Sequence, residues 1–279
     1  MVKVGFIGAG RVGSTAAYTL INNLEIDELV LVDILEELAK GEALDLLHAS
    51  YALDKPIEIR GGADYSLIEG CDLIVVTAGV PRKPGMSRLD LLQKNAGIMR
   101  AVARELGQRC RGSVVLVVTN PVDLMTYILW RETGFPRERV IGMGGVLDTS
   151  RLKSIVRRPT HGLVLGEHGD GMFIFGEDKG FEEAVRRAAM EVIERKGATI
   201  FGPAASIYRM AKAIVTDSRE ILPASIVLDG EYGLRGVAIG VPAKLGRSGV
   251  IEIIEFDEIR EDLSRSALKL SEKLREIGY

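Results

Sequence analysis

The first half of the chain alternates short apolar runs with amphipathic stretches. Strands are predicted at residues 3–8, 28–33, 56–60, 72–77, 114–119 and 140–143. Helical spacing fills most of the intervals: 12–23, where Val12, Ala16 and Leu20 share a face, then 35–48, 89–107 and 122–133. The strands are near-continuous Val, Leu and Ile, without the alternation of a sheet that has one wet face. Strands of this kind between helices predict a doubly wound α/β layer, a parallel sheet covered on both sides.

The second half reads differently. A helix is expected at 148–156, and two neighbouring strands at 163–165 and 172–175. A long helical region follows at 181–210, with a bend expected near Gly202-Pro203. Strands at 225–229, 237–241 and 249–256 lead to a terminal helix at 257–277. Strands followed by helices predict an α+β lobe. The expected division is 1–143 and 144–279, with no linker, repeat or low-complexity tract.

A chain of 279 residues suits two lobes at about 150 residues per domain. Its 47% apolar and 27% charged residues indicate a soluble globular protein. A net charge of −3 argues against a nucleic-acid partner. No apolar run, the best being 114–118, approaches the roughly 18 residues of a membrane helix, so no membrane partner is expected. Lys3 is followed at once by a strand and glycines, which is not a signal peptide. Cys71 and Cys110 are too few for a disulfide framework or a Cys-rich metal site, so a reduced, cytoplasmic, metal-free protein is expected. Four Asn, two Gln and many charges point to a thermophilic source.

Gly8-Ala9-Gly10-Arg11-Val12-Gly13 follows a strand and opens a helix. Gly8 permits the tight turn, Gly10 lets the backbone approach a pyrophosphate, and Gly13 lets helix and strand pack closely. Asp33 closes the second strand about 20 residues on, where a carboxylate can accept from both ribose hydroxyls. It would repel a 2′-phosphate, and no Arg or Lys follows until Lys40, so NAD is favoured over NADP. The competing reading is a glycine turn in an α/β protein that binds no nucleotide.

Four further clusters carry chemistry. The segment from Gly79 to Arg88 follows a strand end and holds two prolines and the cations Arg82, Lys83 and Arg88. It can close over an anionic substrate, or be an ordinary solvated loop. Asn120 ends the strand at 114–119 and points into the same crevice, or simply caps the helix that Pro121 begins. Asp148 and Arg151 share a helix face, as a site or as a surface ion pair. His168, one of three histidines, stands between glycines in Gly166-Glu167-His168-Gly169-Asp170, with Asp148 as its candidate carboxylate partner.

With these motifs in order, the sequence resembles the lactate/malate dehydrogenase family, and within it the archaeal malate dehydrogenases. The resemblance runs through GAGRVG at 8–13, LVDI at 31–34, TAGVPRKPGMSR at 77–88, TNPVD at 119–123, LDTSR at 147–151, GEHGD at 166–170, KGAT at 196–199 and IGVPAKLG at 239–246. It implies a Rossmann-type first lobe, a C-terminal α+β substrate lobe, NAD as cofactor and a step of the tricarboxylic acid cycle. It implies that His168 is the acid/base, oriented by Asp148. Arg151 then clamps the substrate C1 carboxylate, Arg88 polarises the reacting carbonyl and Arg82 selects the substrate side chain. Asn120 contacts substrate and supports the nicotinamide end, and Thr199 lines the pocket. Cofactor contacts are implied at Gly8, Ala9, Gly10, Arg11, Val12, Gly13, Asp33, Thr77, Ala78, Gly79, Asn95, Val118 and Asn120.

A cation at Arg82 suits the second carboxylate of malate or oxaloacetate, whereas the lactate branch usually places an uncharged amide there. The expected partners are thus a C4 dicarboxylate and further copies of the chain, as homodimer or homotetramer. Three rivals remain: a lactate or other 2-hydroxy-acid dehydrogenase, a silent NAD-binding redox sensor, and an NAD-dependent glycosidase, for which the two cysteines are poorly placed. Only 17 positions separate Arg151 from His168, so a trimmed second lobe is expected.

Overall fold

The structure, a computed structural model, describes residues 1–81 and 87–279, Arg88 by its backbone only. The first half builds β1 (Lys3–Ile7), α1 (Arg11–Asn23), β2 (Glu28–Val32), α2 (Glu36–Ala52), β3 (Glu58–Gly62), β4 (Leu73–Val76), α3 (Arg88–Arg109), β5 (Val114–Val117), α4 (Val122–Thr133) and β6 (Val140–Gly142). These strands run parallel in the order β3-β2-β1-β4-β5-β6. Helices cover both faces, which is why β4 and β5 are apolar at every position and buried throughout. The chain steps outward from β1 to β3, then crosses back to β4. Order reverses between β1 and β4, and a crevice opens beyond their C-terminal ends. Gly8 and Thr77 leave those two ends side by side, both Thr77 N and Ala78 N donating to Ile7 O at 2.8 Å.

The second half builds α5 (Gly145–Val156), β7 (Leu163–Gly166), β8 (Met172–Phe175), α6 (Glu182–Lys196), α7 (Phe201–Val215), β9 (Ile221–Asp229), β10 (Arg235–Gly246), β11 (Gly249–Ile253) and α8 (Arg260–Glu276). β9 and β10 form a long antiparallel pair, and β7 and β8 a hairpin. β7 meets β10 where Gly166 faces Gly240; a Cβ on Gly240 would lie 2.7 Å from Gly166 O, so glycine is what permits the approach. Gly142 on β6 pairs with Ser225 on β9, so one sheet runs through both halves. One apolar core likewise spans them, with a small satellite of Leu152, Val164, Met172, Ile174 and Val185 beneath α6. Among the described residues no helix is long and apolar enough to cross a membrane.

Several expected elements move. The helical region at 181–210 is two helices, and the break is at Gly197, not at Gly202-Pro203. Gly197 adopts φ +85° and donates to Ile193 O at 2.8 Å, a left-handed helix end that favours glycine. Pro203 sits in the first turn of α7, where its missing N–H interrupts nothing. The helix expected at 148–156 begins at Gly145, and that expected at 35–48 continues to Ala52. β10 reaches Gly246, well beyond the expected 241, because residues 242–244 pair with β9. Arg88 opens α3 rather than ending the preceding loop. A capping box fixes that start: Ser87 Oγ accepts from Asp90 N and Asp90 Oδ2 from Ser87 N, each at 3.0 Å.

Candidate active site

At the β1–α1 turn Gly8 has φ +105°, and a Cβ there would lie 2.6 Å from Ala78 N. A Cβ on Gly13 would lie 2.1 Å from Gly8 O, so side chains are excluded at both positions. Gly10 differs, with open space where its Cβ would be. It caps α1 with no side chain, leaving the first-turn N–H groups directed at that opening. This fits a dinucleotide pyrophosphate. Ala9 is buried, Arg11 exposed and Val12 half-buried. Asp33 stands one residue past β2, its Oδ2 accepting from Ala9 N at 2.8 Å and Oδ1 from Leu35 N at 2.9 Å. Each oxygen keeps a lone pair for a ribose hydroxyl, and the backbone bonds fix where it points.

Across the crevice Thr77 Oγ1 donates to Gly8 O at 2.8 Å. A Cβ on Gly79 would lie 2.5 Å from Thr119 Cγ2, and Thr119 Oγ1 donates to Ala78 O at 2.7 Å. Asn95, on α3, is buried between the strand-end loops. Its Oδ1 accepts from Val80 N at 2.9 Å and its Nδ2 donates to Asn120 O at 2.7 Å. Val118 is half-buried and Asn120 exposed. Asn120 Oδ1 accepts from Val122 N at 3.3 Å, so Asn120 supports the start of α4 while facing the crevice. Pro121 is the cap of α4 rather than its first residue.

A cluster of charged and titratable groups comes from α5 and the β7–β8 turn. Asp148 is 1% exposed. Its Oδ2 meets His168 Nδ1 at 2.5 Å, and its Oδ1 accepts from Arg151 Nη1 at 2.7 Å. Asp148–Arg151 is therefore a buried pair, not a surface one. Gly144 admits the imidazole: a Cβ there would lie 2.9 Å from His168 Cβ and 3.0 Å from its Cγ. With Nδ1 committed to Asp148, Nε2 is the nitrogen left for proton transfer. Burial of the ring opposes its charge, but the Asp148 carboxylate outweighs this, with Asp123 adding to it, and the His168 pKa is raised above 6.5. His48 and His161 are exposed and take no part. Thr199 is half-buried in the short connection between α6 and α7. Arg82 lies outside the described residues, as does the side chain of Arg88.

Two family models match the chain: the lactate/malate dehydrogenase NAD-binding domain over residues 2–142, and the alpha/beta C-terminal domain over 176–277. The chain belongs to the lactate/malate dehydrogenase family. The malate dehydrogenase of Archaeoglobus fulgidus is 53% identical over the full length of both chains. A solved structure of malate dehydrogenase from Archaeoglobus fulgidus, in complex with NADH, superposes with a TM-score of 0.95 at 53% identity, covering all of each chain. L-lactate dehydrogenase 1 of Clostridium acetobutylicum is 38% identical, over 99% of this chain and 98% of that one.

The alignment to the Archaeoglobus fulgidus enzyme runs over 294 positions against 279 residues here, so this family member is the shorter chain. Two acidic residues beside His168 escaped the sequence reading of roles. Asp123 Oδ2 accepts from His168 N at 2.8 Å. Glu167 is buried, pairs with Lys273 Nζ at 2.6 Å and accepts from Gly171 N at 3.0 Å, while its own N–H donates to Ser266 Oγ at 2.8 Å. Glu167 thereby ties the histidine turn to α8. Both residues lie inside the quoted family motifs, but their partners are far along the chain.

Proposed function

We propose that this chain is an NAD-dependent malate dehydrogenase, transferring hydride reversibly between malate and NAD to give oxaloacetate and NADH. The observation that carries this reading is the shared Asp148 carboxylate, with His168 on one oxygen and Arg151 on the other. The groove at Gly8, Gly10, Gly13 and Asp33 fits NAD, which supplies the hydride acceptor when bound. His168 Nε2 takes the hydroxyl proton of malate and returns it in the reverse direction. Asp148 stabilises the imidazolium and keeps the ring oriented. Arg151 holds the substrate C1 carboxylate, and Arg88 stabilises charge developing on the carbonyl oxygen. Asn95 holds the Val80 and Asn120 backbones together, so that Asn120 can present its amide to substrate and nicotinamide. Thr199 borders the pocket.

Arg82 sets the substrate class in this reading, by pairing with the second carboxylate. A buried, unpaired Arg82 beside the methyl of pyruvate would carry a desolvation penalty of several kcal/mol by the usual rough figure. Likeness to a lactate dehydrogenase keeps that activity as the second reading. The proposal extends to a division near 143/144, a homo-oligomer and a cytoplasmic setting. Cys71 and Cys110 are free and buried, and burial pushes their thiols up to about 12 and about 11, which suits a reducing compartment.

The test follows NADH absorbance with oxaloacetate and with pyruvate in parallel, at moderate and elevated temperature. Fast oxidation with oxaloacetate and little with pyruvate is expected. Preference for pyruvate would transfer the chain to the second reading. NADH binding without activity on either would leave a silent sensor.

A further inference from the structure

We propose that Asp123 is a positioning residue for the acid/base His168: its carboxylate fixes the histidine backbone and places a second negative charge near the ring, Asp148 being the first. This rests on the assignment of His168 above. Asp123 lies in the first turn of α4 and is 3% exposed. Its Oδ2 accepts the His168 N–H, 45 positions along the chain, at 2.8 Å. Three residues earlier in the same segment stands Asn120, so a single helix start carries the crevice amide and the anchor of the histidine turn.

A backbone N–H needs only an acceptor oxygen, which an amide or hydroxyl would supply at lower cost. What a carboxylate adds is charge, and here charge is expensive. Burial drives the Asp123 pKa up to about 6, against the stabilising effect of the neighbouring Ser225 hydroxyl and the His168 N–H. Ser225 lies beside the carboxyl, yet neither Asp123 Oδ1 nor Ser225 Oγ has a hydrogen bond of regular geometry. A purely structural anchor gains nothing from this arrangement. The imidazole does gain: Asp123 acts on it in the same sense as Asp148 and against Arg151. Two further acids stand on the turn: Glu167, which is paired with Lys273 of α8, and Asp170.

The experiment compares wild type, Asp123→Asn and Asp123→Ala in NADH-driven oxaloacetate reduction from about pH 5 to 10, with NADH binding followed by fluorescence. Asp123→Asn keeps an acceptor for the His168 N–H and removes the charge. Its kcat/KM midpoint should move to lower pH by about half a unit or more, with NADH affinity within about twofold of wild type. Asp123→Ala should show the same shift and a lower kcat at every pH. A Asp123→Asn midpoint equal to wild type would overturn the inference, whether or not the overall rate falls. If Asp123→Asn does not fold, Asp123→Ser removes the same charge with a smaller polar side chain. The midpoint should again move down, and an unmoved one overturns the inference. Wild-type protein inactive on both oxaloacetate and pyruvate would instead overturn the function on which this rests.

Discussion

His168 is held where two opposing effects meet, and the direction of its pKa decides how the enzyme responds to pH. Burial favours the neutral ring, but Asp148 at 2.5 Å favours the imidazolium and prevails. In the proposed mechanism oxaloacetate reduction consumes the protonated ring, and malate oxidation needs the neutral one. Reduction should therefore hold steady at low pH and fall as pH rises through an apparent value above 6.5, while oxidation rises over the same interval. Rate profiles in both directions on the free enzyme test this. A shared midpoint below 6.5 would show that burial outweighs Asp148. His168→Asn should lower turnover by about 100-fold or more while NADH still binds, because the proposed role of the ring is proton transfer and not dinucleotide binding. His168, Asp148 and Arg151 are legible in the sequence: two share a helix turn and the third is the only histidine between glycines. The histidine's other anchors are not. Asp123 reaches it across 45 positions, Ser266 reaches the preceding Glu167 across 99, and no local spacing announces such contacts.

At the scale of elements, periodicity located the strands and helices well wherever the pattern was long and buried. It failed at ends set by single residues. Gly197 splits a helical stretch through a left-handed cap, and the Ser87–Asp90 capping box starts α3 inside a segment that reads as loop. The short 3-10 turn Glu231–Gly233 between β9 and β10 was likewise invisible, since its support comes from elsewhere in the chain. Arg137 Nη1 and Nη2 donate to Glu231 Oε2 and Oε1 at 2.9 and 2.6 Å, pinning this hairpin turn to the segment before β6. The guanidinium holds the Glu231 pKa down at about 2, against 4.5 for the free group. The folded value lies below the unfolded one, so the stabilisation is complete above about pH 4.5 and is lost as pH falls towards 2. Glu231 is 19% exposed at its side chain, so a full conversion of the shift is discounted, to about 2 kcal/mol. Glu231→Gln should lower stability to urea by that order at pH 7 and by about half as much or less at pH 3. An equal loss at both values would mean the side chain acts through packing and not charge.

For the whole molecule, the continuous sheet and core make the two halves one body, so exposed apolar side chains report on contacts outside the chain. Among the described residues some lie on α6, and several others on adjoining helices of the first half and α7. Tyr18 on α1 is 44% exposed, Leu44 and Tyr51 on α2 are 55% and 65%, and Phe201 on α7 is 70%. α1 packs against both α2 and α7, so these residues belong to neighbouring elements. Single exposed apolar residues need no explanation, but several large ones on adjoining helices suit an interaction surface. A two-fold copy is the simplest cover, because one self-complementary patch closes the assembly. Sedimentation of the purified protein at micromolar concentration should give a dimer or a multiple of it. Leu44→Glu with Tyr51→Glu should reduce the mass while leaving NADH binding in place, since neither residue borders the glycine turn. A wild-type monomer at that concentration, or a double variant of unchanged mass, would show that this side is not the interface. The proton relay at His168 would then have to work within a single chain.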